Sequence, residues 1–289
     1  MSPDGSRPGD LWIRDYGPWR GGGGTRLLCF PHAGGSATFY RPLATLLGGD
    51  DDPEVLGVQY PGRQDRYAEP PLTGIGELAD HILPELKPLT DRPLVLFGHS
   101  MGAVLAYETA RRMERDTGVP PLGVIASGRR APSVPVTENL HRRGDRALIE
   151  EVRTLSGTAD GVLDDPEMRE LILPSLRADY RAVETYRHLP GRELSCPLLV
   201  LAGSEDPRAP LDQVRLWDRH TTGSFALRVL PGGHFYLSTQ WAAVAEAVRS
   251  GIAAFRGRAG AAPDGSGAGP RPDPAAPRGP GGRGPAPGR

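Results

Sequence analysis

The sequence predicts an α/β fold: a mostly parallel central sheet flanked by helices, with one helical insertion. Three observations lead there. Short runs rich in Val, Leu and Ile recur along the chain and are continuously apolar, as in strands covered on both faces. Segments of helical spacing alternate with them, the pattern of parallel strands joined by right-handed crossovers. Between Gly128 and Leu194 the alternation stops, and helical spacing continues without a convincing strand.

The expected strands are Leu27–Phe30, Val55–Val58, Leu94–Phe97, Leu122–Ile125, Leu198–Leu201 and Phe225–Leu230. Helices are expected at about 38–47, 76–87, 101–115, 210–219 and 240–254. Within the insertion, Met168, Ile172, Leu176, Tyr180 and Val183 fall on one helix face, and Pro174 should kink or split that helix. An insertion of about residues 129–190 in such a sheet reads as a helical lid or as an extra packed helical pair.

Composition bounds the rest. The chain has 289 residues, 38% of them hydrophobic and 24% charged, which suits one large core. A net charge of −1 excludes nucleic-acid binding through overall charge, and no run approaches a membrane span. The N-terminus lacks the apolar region of a secretory signal, so the expected location is cytoplasmic. Two cysteines exclude a disulfide framework. Residues 259–289 hold 9 Gly and 8 Pro with no aromatic or branched apolar side chain, and read as a disordered tail. Residues 1–24, ending in four glycines, read as a partly disordered extension from which Leu11, Trp12, Ile13 and Trp19 could pack back. That leaves 25–258 as the folded domain.

Chemistry concentrates at strand ends. Gly98-His99-Ser100-Met101-Gly102 follows one strand and opens a helix, the setting of a nucleophile elbow. There Ser100 would stand above the sheet edge with the Met101 N–H aimed at a developing oxyanion. A serine needs a base. His234, in the loop after the strand ending at Leu230, is the candidate. His99 points elsewhere, His32 reads as structural, and His81, His141, His188 and His220 read as surface residues. The orienting acid is Asp206, favoured over Glu205 because the following Pro207 holds it extended. The chain order Ser100, Asp206, His234 is that of the α/β-hydrolase fold. A second oxyanion donor should come from the loop after the first strand, with Ala33 assigned and Gly34 the alternative. No metal motif is present and no cofactor is expected.

With these residues in hand, the sequence resembles a known family. FPHAGGSATFY (Phe30–Tyr40), VQYPGRQDR (Val58–Arg66), LFGHSMGA (Leu96–Ala103), ASGRRAP (Ala126–Pro132) and PGGHFYL (Pro231–Leu237) look like type II thioesterases. These are the stand-alone editing enzymes of polyketide and nonribosomal peptide synthases. The resemblance covers about residues 11–254. It implies a mobile helical lid and hydrolysis of acyl groups from the phosphopantetheine arm of an acyl or peptidyl carrier protein. Carried over by position, the nucleophile is Ser100, the acid Asp206, the base His234, and the oxyanion donors Ala33 and Met101. Arg63 has two readings, contact with a phosphopantetheine or carrier phosphate and a surface salt bridge, the second favoured. Hydrolysis of free esters by the same triad, or release of a finished product, stays open as an alternative activity. A non-catalytic carrier binder would need a lost triad member, and all three are present.

Overall fold

The computed structural model describes residues 11–17, 24–156 and 164–259. The expectations for Trp19, for the glycines at 21–23 and for the tail from residue 260 lie outside the described residues. Seven strands form one sheet: β1 (Ile13–Asp15), β2 (Arg26–Phe30), β3 (Glu54–Val58), β4 (Leu94–His99), β5 (Gly123–Ser127), β6 (Leu198–Gly203) and β7 (Phe225–Leu230). Their order is β1-β3-β2-β4-β5-β6-β7. Every neighbouring pair is parallel except β1, which runs antiparallel to β3.

The helices are α1 (Arg41–Leu46), α2 (Ile75–Ile82), α3 (Met101–Thr117), α4 (Asp145–Ser156), α5 (Pro166–Thr185), α6 (Leu211–Arg215) and α7 (Trp241–Ala259). Side chains alternate across each strand. Leu28, Leu96, Val124 and Val200 join the core that holds Leu78 of α2 and Ala106 of α3. Their neighbours Leu27, Val95, Ile125 and Leu199 join a second core with Leu43 of α1 and Val248 of α7. Both faces are therefore covered, which is why these strands read as unbroken apolar runs. Among the described residues no helix is long and apolar enough to cross a membrane.

Two features add to the expectation. Strand β1 arises inside the N-terminal segment, where Trp12 and Ile13 pack against the first core. Of the two outcomes expected at Pro174, a split does not occur, since α5 continues through it. A proline removes the hydrogen bond to the carbonyl four residues back. Here Glu170 and Pro174 are exposed, so water can take the freed carbonyl. Helices α4 and α5 share a small core of Leu148 and Leu176 with Leu140 just before α4, and α5 is also anchored in the first of the two main cores by Ala182 and Val183.

Register sets the strand ends level. Phe30 lies beside Gly98, His99 beside Ser127, Ser127 beside Leu201, and Gly203 beside Leu230. The loops after β2, β4, β5, β6 and β7 consequently leave the sheet along one edge.

Candidate active site

Between β4 and α3 the chain reverses in a single residue. Ser100 has φ 55° and ψ −114°, a backbone conformation costly for a residue with a Cβ. Its flanking glycines explain how the turn closes. A Cβ on Gly98 would stand 1.9 Å from the Gly102 carbonyl oxygen, and one on Gly102 would stand 2.0 Å from that of Phe30. The Ser100 N–H donates to the Ser127 carbonyl at 2.8 Å, tying the turn to the end of β5.

His234 reaches this serine from the loop after β7. Its Nε2 lies 2.9 Å from Ser100 Oγ, and its Nδ1 lies 2.9 and 3.1 Å from the two carboxylate oxygens of Asp206. With Nδ1–H donating to the carboxylate, Nε2 keeps a lone pair facing the hydroxyl. His234 and Asp206 are buried, whereas Glu205 is exposed. Asp206 Oδ1 also accepts the Arg208 N–H at 2.8 Å, which fixes the carboxylate plane.

Two further imidazoles stand near His234. His99 turns away from the cavity, its Nδ1 2.9 Å from Ser127 Oγ, which in turn lies 2.6 Å from the Tyr236 hydroxyl. His32 packs edge-on to Phe39 and Phe235. Burial lowers both: His99 falls well below the usual imidazole range and His32 falls to about 3. Neither places a positive charge beside His234 at neutral pH.

The structure brings Ser100, His234, Ala33 and Met101 to the wall of one cavity of about 360 Å³, within the range of small-molecule sites. Met101 opens α3, where a backbone N–H has no intrahelical acceptor. In the loop after β2, the Gly34 N–H donates to Asp179 Oδ2 at 2.8 Å. That engages the alternative donor and leaves Ala33. Ile172, Leu176, Tyr180 and Val183 of α5 and Val152 and Leu155 of α4 supply much of the apolar lining. On its polar side, Arg130 and Arg208 both pair with Glu138. Arg129 also lines the cavity, and burial with Arg130 alongside lowers it to about 10, so it stays charged at neutral pH. Among the described residues no group of three His, Cys, Asp or Glu could hold a metal ion.

Several expectations need correction. Arg63 is not in a surface salt bridge: it is buried, bound bidentately to Asp179 at 2.6 and 2.9 Å, and donates to the Gly35 carbonyl at 3.0 Å. Nor is its guanidinium open to a phosphate. His220 is buried among Tyr107, Trp217 and His188 rather than on the surface. His141 is half-buried against Glu184, His188 is half-buried, and His81 alone of the four is exposed. Asp179 is a site residue that no motif marks. Its one sequence signal is a carboxylate set within the apolar stripe of Leu176, Tyr180 and Val183.

The family model for the Thioesterase domain matches residues 25–252. Thioesterase PikA5 of Streptomyces venezuelae is 47% identical over 248 residues, covering 86% of this chain and 87% of that protein. Among solved structures, the type II thioesterase BorB from the borrelidin biosynthetic cluster superposes with a TM-score of 0.78 at 45% identity, over 86% of this chain and all of that one. The RedJ thioesterase from the prodiginine biosynthetic pathway in Streptomyces coelicolor gives 0.72 at 37% identity, over 78% and 91%. The parallel sheet and its helices form the α/β-hydrolase fold, and by sequence and structure alike the chain belongs to the thioesterase family, hydrolases that act on thioesters.

Proposed function

We propose that the protein is a stand-alone type II thioesterase that clears aberrant or stalled acyl groups from carrier proteins of a polyketide or nonribosomal peptide assembly line. One observation carries the reading: Ser100, His234 and Asp206 are linked in a hydrogen-bonded chain beside a largely apolar cavity lined by Ser100, His234 and side chains of α4 and α5. The names and titles of the relatives add the pathway context. The catalytic unit is residues 25–258, with about 129–190 as its lid, working in the cytoplasm on acyl-phosphopantetheinyl acyl or peptidyl carrier proteins and needing no cofactor.

Ser100 Oγ attacks the thioester carbonyl while its proton passes to His234 Nε2. The tetrahedral oxyanion is held by the N–H groups of Ala33 and Met101. The C–S bond then breaks, and His234 returns the proton to the departing thiolate. Water enters, gives a proton to His234 and attacks the acyl-serine. The C–O bond to Ser100 breaks, Ser100 recovers its proton, and the carboxylic acid leaves. Asp206 accepts the Nδ1–H throughout and stabilises the imidazolium.

The test is hydrolysis of acetyl- and longer acyl-phosphopantetheinyl carrier proteins beside p-nitrophenyl esters, with the wild type and Ser100→Ala. Turnover of several acyl-carriers that is lost in the variant is the expected result. Turnover confined to the free esters would make the protein a general esterase and overturn the reading.

A further inference from the structure

The loop after β2 carries the proposed oxyanion donor Ala33, and its neighbours hold it at defined points. Tyr40 donates its hydroxyl to the Phe30 carbonyl at 2.9 Å, and Tyr60 donates to the Pro31 carbonyl at 3.0 Å. Arg63, whose guanidinium lies over the Tyr60 ring at 5.2 Å, holds the Gly35 carbonyl. These partners come from the main domain. The Gly34 N–H is the exception, because it donates to Asp179 on α5, 145 residues away in sequence. Leu176, three positions earlier on α5, sits directly over Gly34: a Cβ there would lie 2.7 Å from Leu176 Cδ1, and the backbone has φ +77°.

Residues three apart share a helix face. The face of α5 that presents Leu176 and Asp179 to the loop thus also presents Leu176, Tyr180 and Val183 to the cavity. Asp179 is almost fully buried, and a bare carboxylate so near the loop would oppose a developing oxyanion. The bidentate Arg63 guanidinium neutralises it in place.

We propose that Asp179 is a positioning residue: by accepting the Gly34 N–H it sets the peptide plane that follows Ala33, and so makes the oxyanion hole depend on the seating of α5. An acyl chain resting on Leu176 and Tyr180 presses on the same helix face that holds the loop. The oxyanion hole is then in place only while α5 is seated against the loop, whatever the length of the acyl chain. The inference rests on the reading of Ser100 as nucleophile and deepens it.

The test uses the full chain as wild type, Asp179→Ala, Asp179→Asn and the apolar replacement of the whole pair, Asp179→Leu with Arg63→Met. The double variant keeps the buried volume filled if Asp179→Ala does not fold. Readouts are kcat and KM for acetyl- and octanoyl-phosphopantetheinyl carrier protein and for p-nitrophenyl acetate. A further readout is the affinity for an alkyl trifluoromethyl ketone, which adds to serine as a tetrahedral oxyanion.

Asp179→Ala and the double variant should lose about 10- to 100-fold in kcat on acetyl and octanoyl substrates alike, no more than a lost oxyanion donor costs. KM should change little, and ketone affinity should fall by the same factor. Asp179→Asn, whose amide oxygen still accepts the Gly34 N–H, should recover most of the loss. Unchanged kcat, or a loss confined to KM for octanoyl with ketone affinity intact, would reduce α5 to a pocket wall and overturn the proposal. Failure of the carrier-protein reading is separable, since it would show as a wild type inactive on both carriers while the ester and ketone readouts still report on Asp179.

Discussion

Gly102 and the carbonyl of Phe30 approach so closely that a Cβ on the glycine would stand 2.0 Å from the oxygen. Helix α3 and strand β2 therefore touch backbone to backbone directly beneath the loop that carries Ala33. Gly102→Ala must push them apart and displace that loop. The expected outcome is a kcat loss of about tenfold or more, in line with a misplaced reacting group, together with a lower melting temperature. A variant with wild-type kcat and wild-type melting would contradict this account of the elbow.

Asp206 meets His234 Nδ1 through both carboxylate oxygens. An amide in its place can present N–H to the ring and stabilise the wrong tautomer, leaving Nε2 protonated toward Ser100. Asp206→Asn should lower kcat by about 10⁴-fold with a melting temperature near that of the wild type. Stopped-flow measurement of acyl-enzyme formation is the check: a normal acylation rate in the variant would remove Asp206 from the role.

The Arg63–Asp179 pair makes an asymmetric prediction about stability. Removing one partner leaves the other charge buried and alone, so Arg63→Met should destabilise by about 3–5 kcal/mol. Replacing both partners by apolar side chains should restore most of that. Urea unfolding of the single and double variants measures the difference. Equal destabilisation of both would mean that packing, not charge, dominates there.

Burial also builds in an acid sensitivity. His220 is lowered to about 4, chiefly by burial and then by His188, and His32 to about 3. Below the ordinary histidine value of about 6.5 the unfolded chain takes up protons that the folded protein refuses. Their contribution is full above that pH and is lost progressively as pH falls toward 4 and 3. Melting temperatures measured from pH 8 to 4.5 should fall on the acid side, and His220→Gln should fall less steeply. Identical slopes for the two proteins would show that His220 stays neutral for no energetic reason.

What the sequence disclosed follows from how far each signal reaches. Strands β2, β4 and β6 were legible because two covered faces leave no polar position in the run. The elbow was legible because backbone contact at Gly98 and Gly102 demands glycine at fixed spacing. Local pattern could not show that Arg63 meets Asp179, since the partners lie 116 residues apart and only the docked insertion brings them together. His220 sits in the polar string Asp218-Arg219-His220-Thr221, and the rings that enclose it arrive from Tyr107 and Trp217. Strand β1 has three residues, too few for periodicity to register, and exists because the edge of β3 offers it hydrogen bonds.

That short strand has a practical consequence. Ile13, Arg14 and Asp15 pair with Val58, Gly57 and Leu56, and the Trp12 carbonyl accepts the Gln59 N–H at 2.8 Å. A chain trimmed to begin at Thr25, where the family match starts, would bare this row of backbone donors and acceptors along β3. It would also uncover the apolar ground on which Trp12 rests. Open edges of this kind recruit other strands. The trimmed protein is expected to self-associate in solution, and size-exclusion chromatography of the full and trimmed chains measures it.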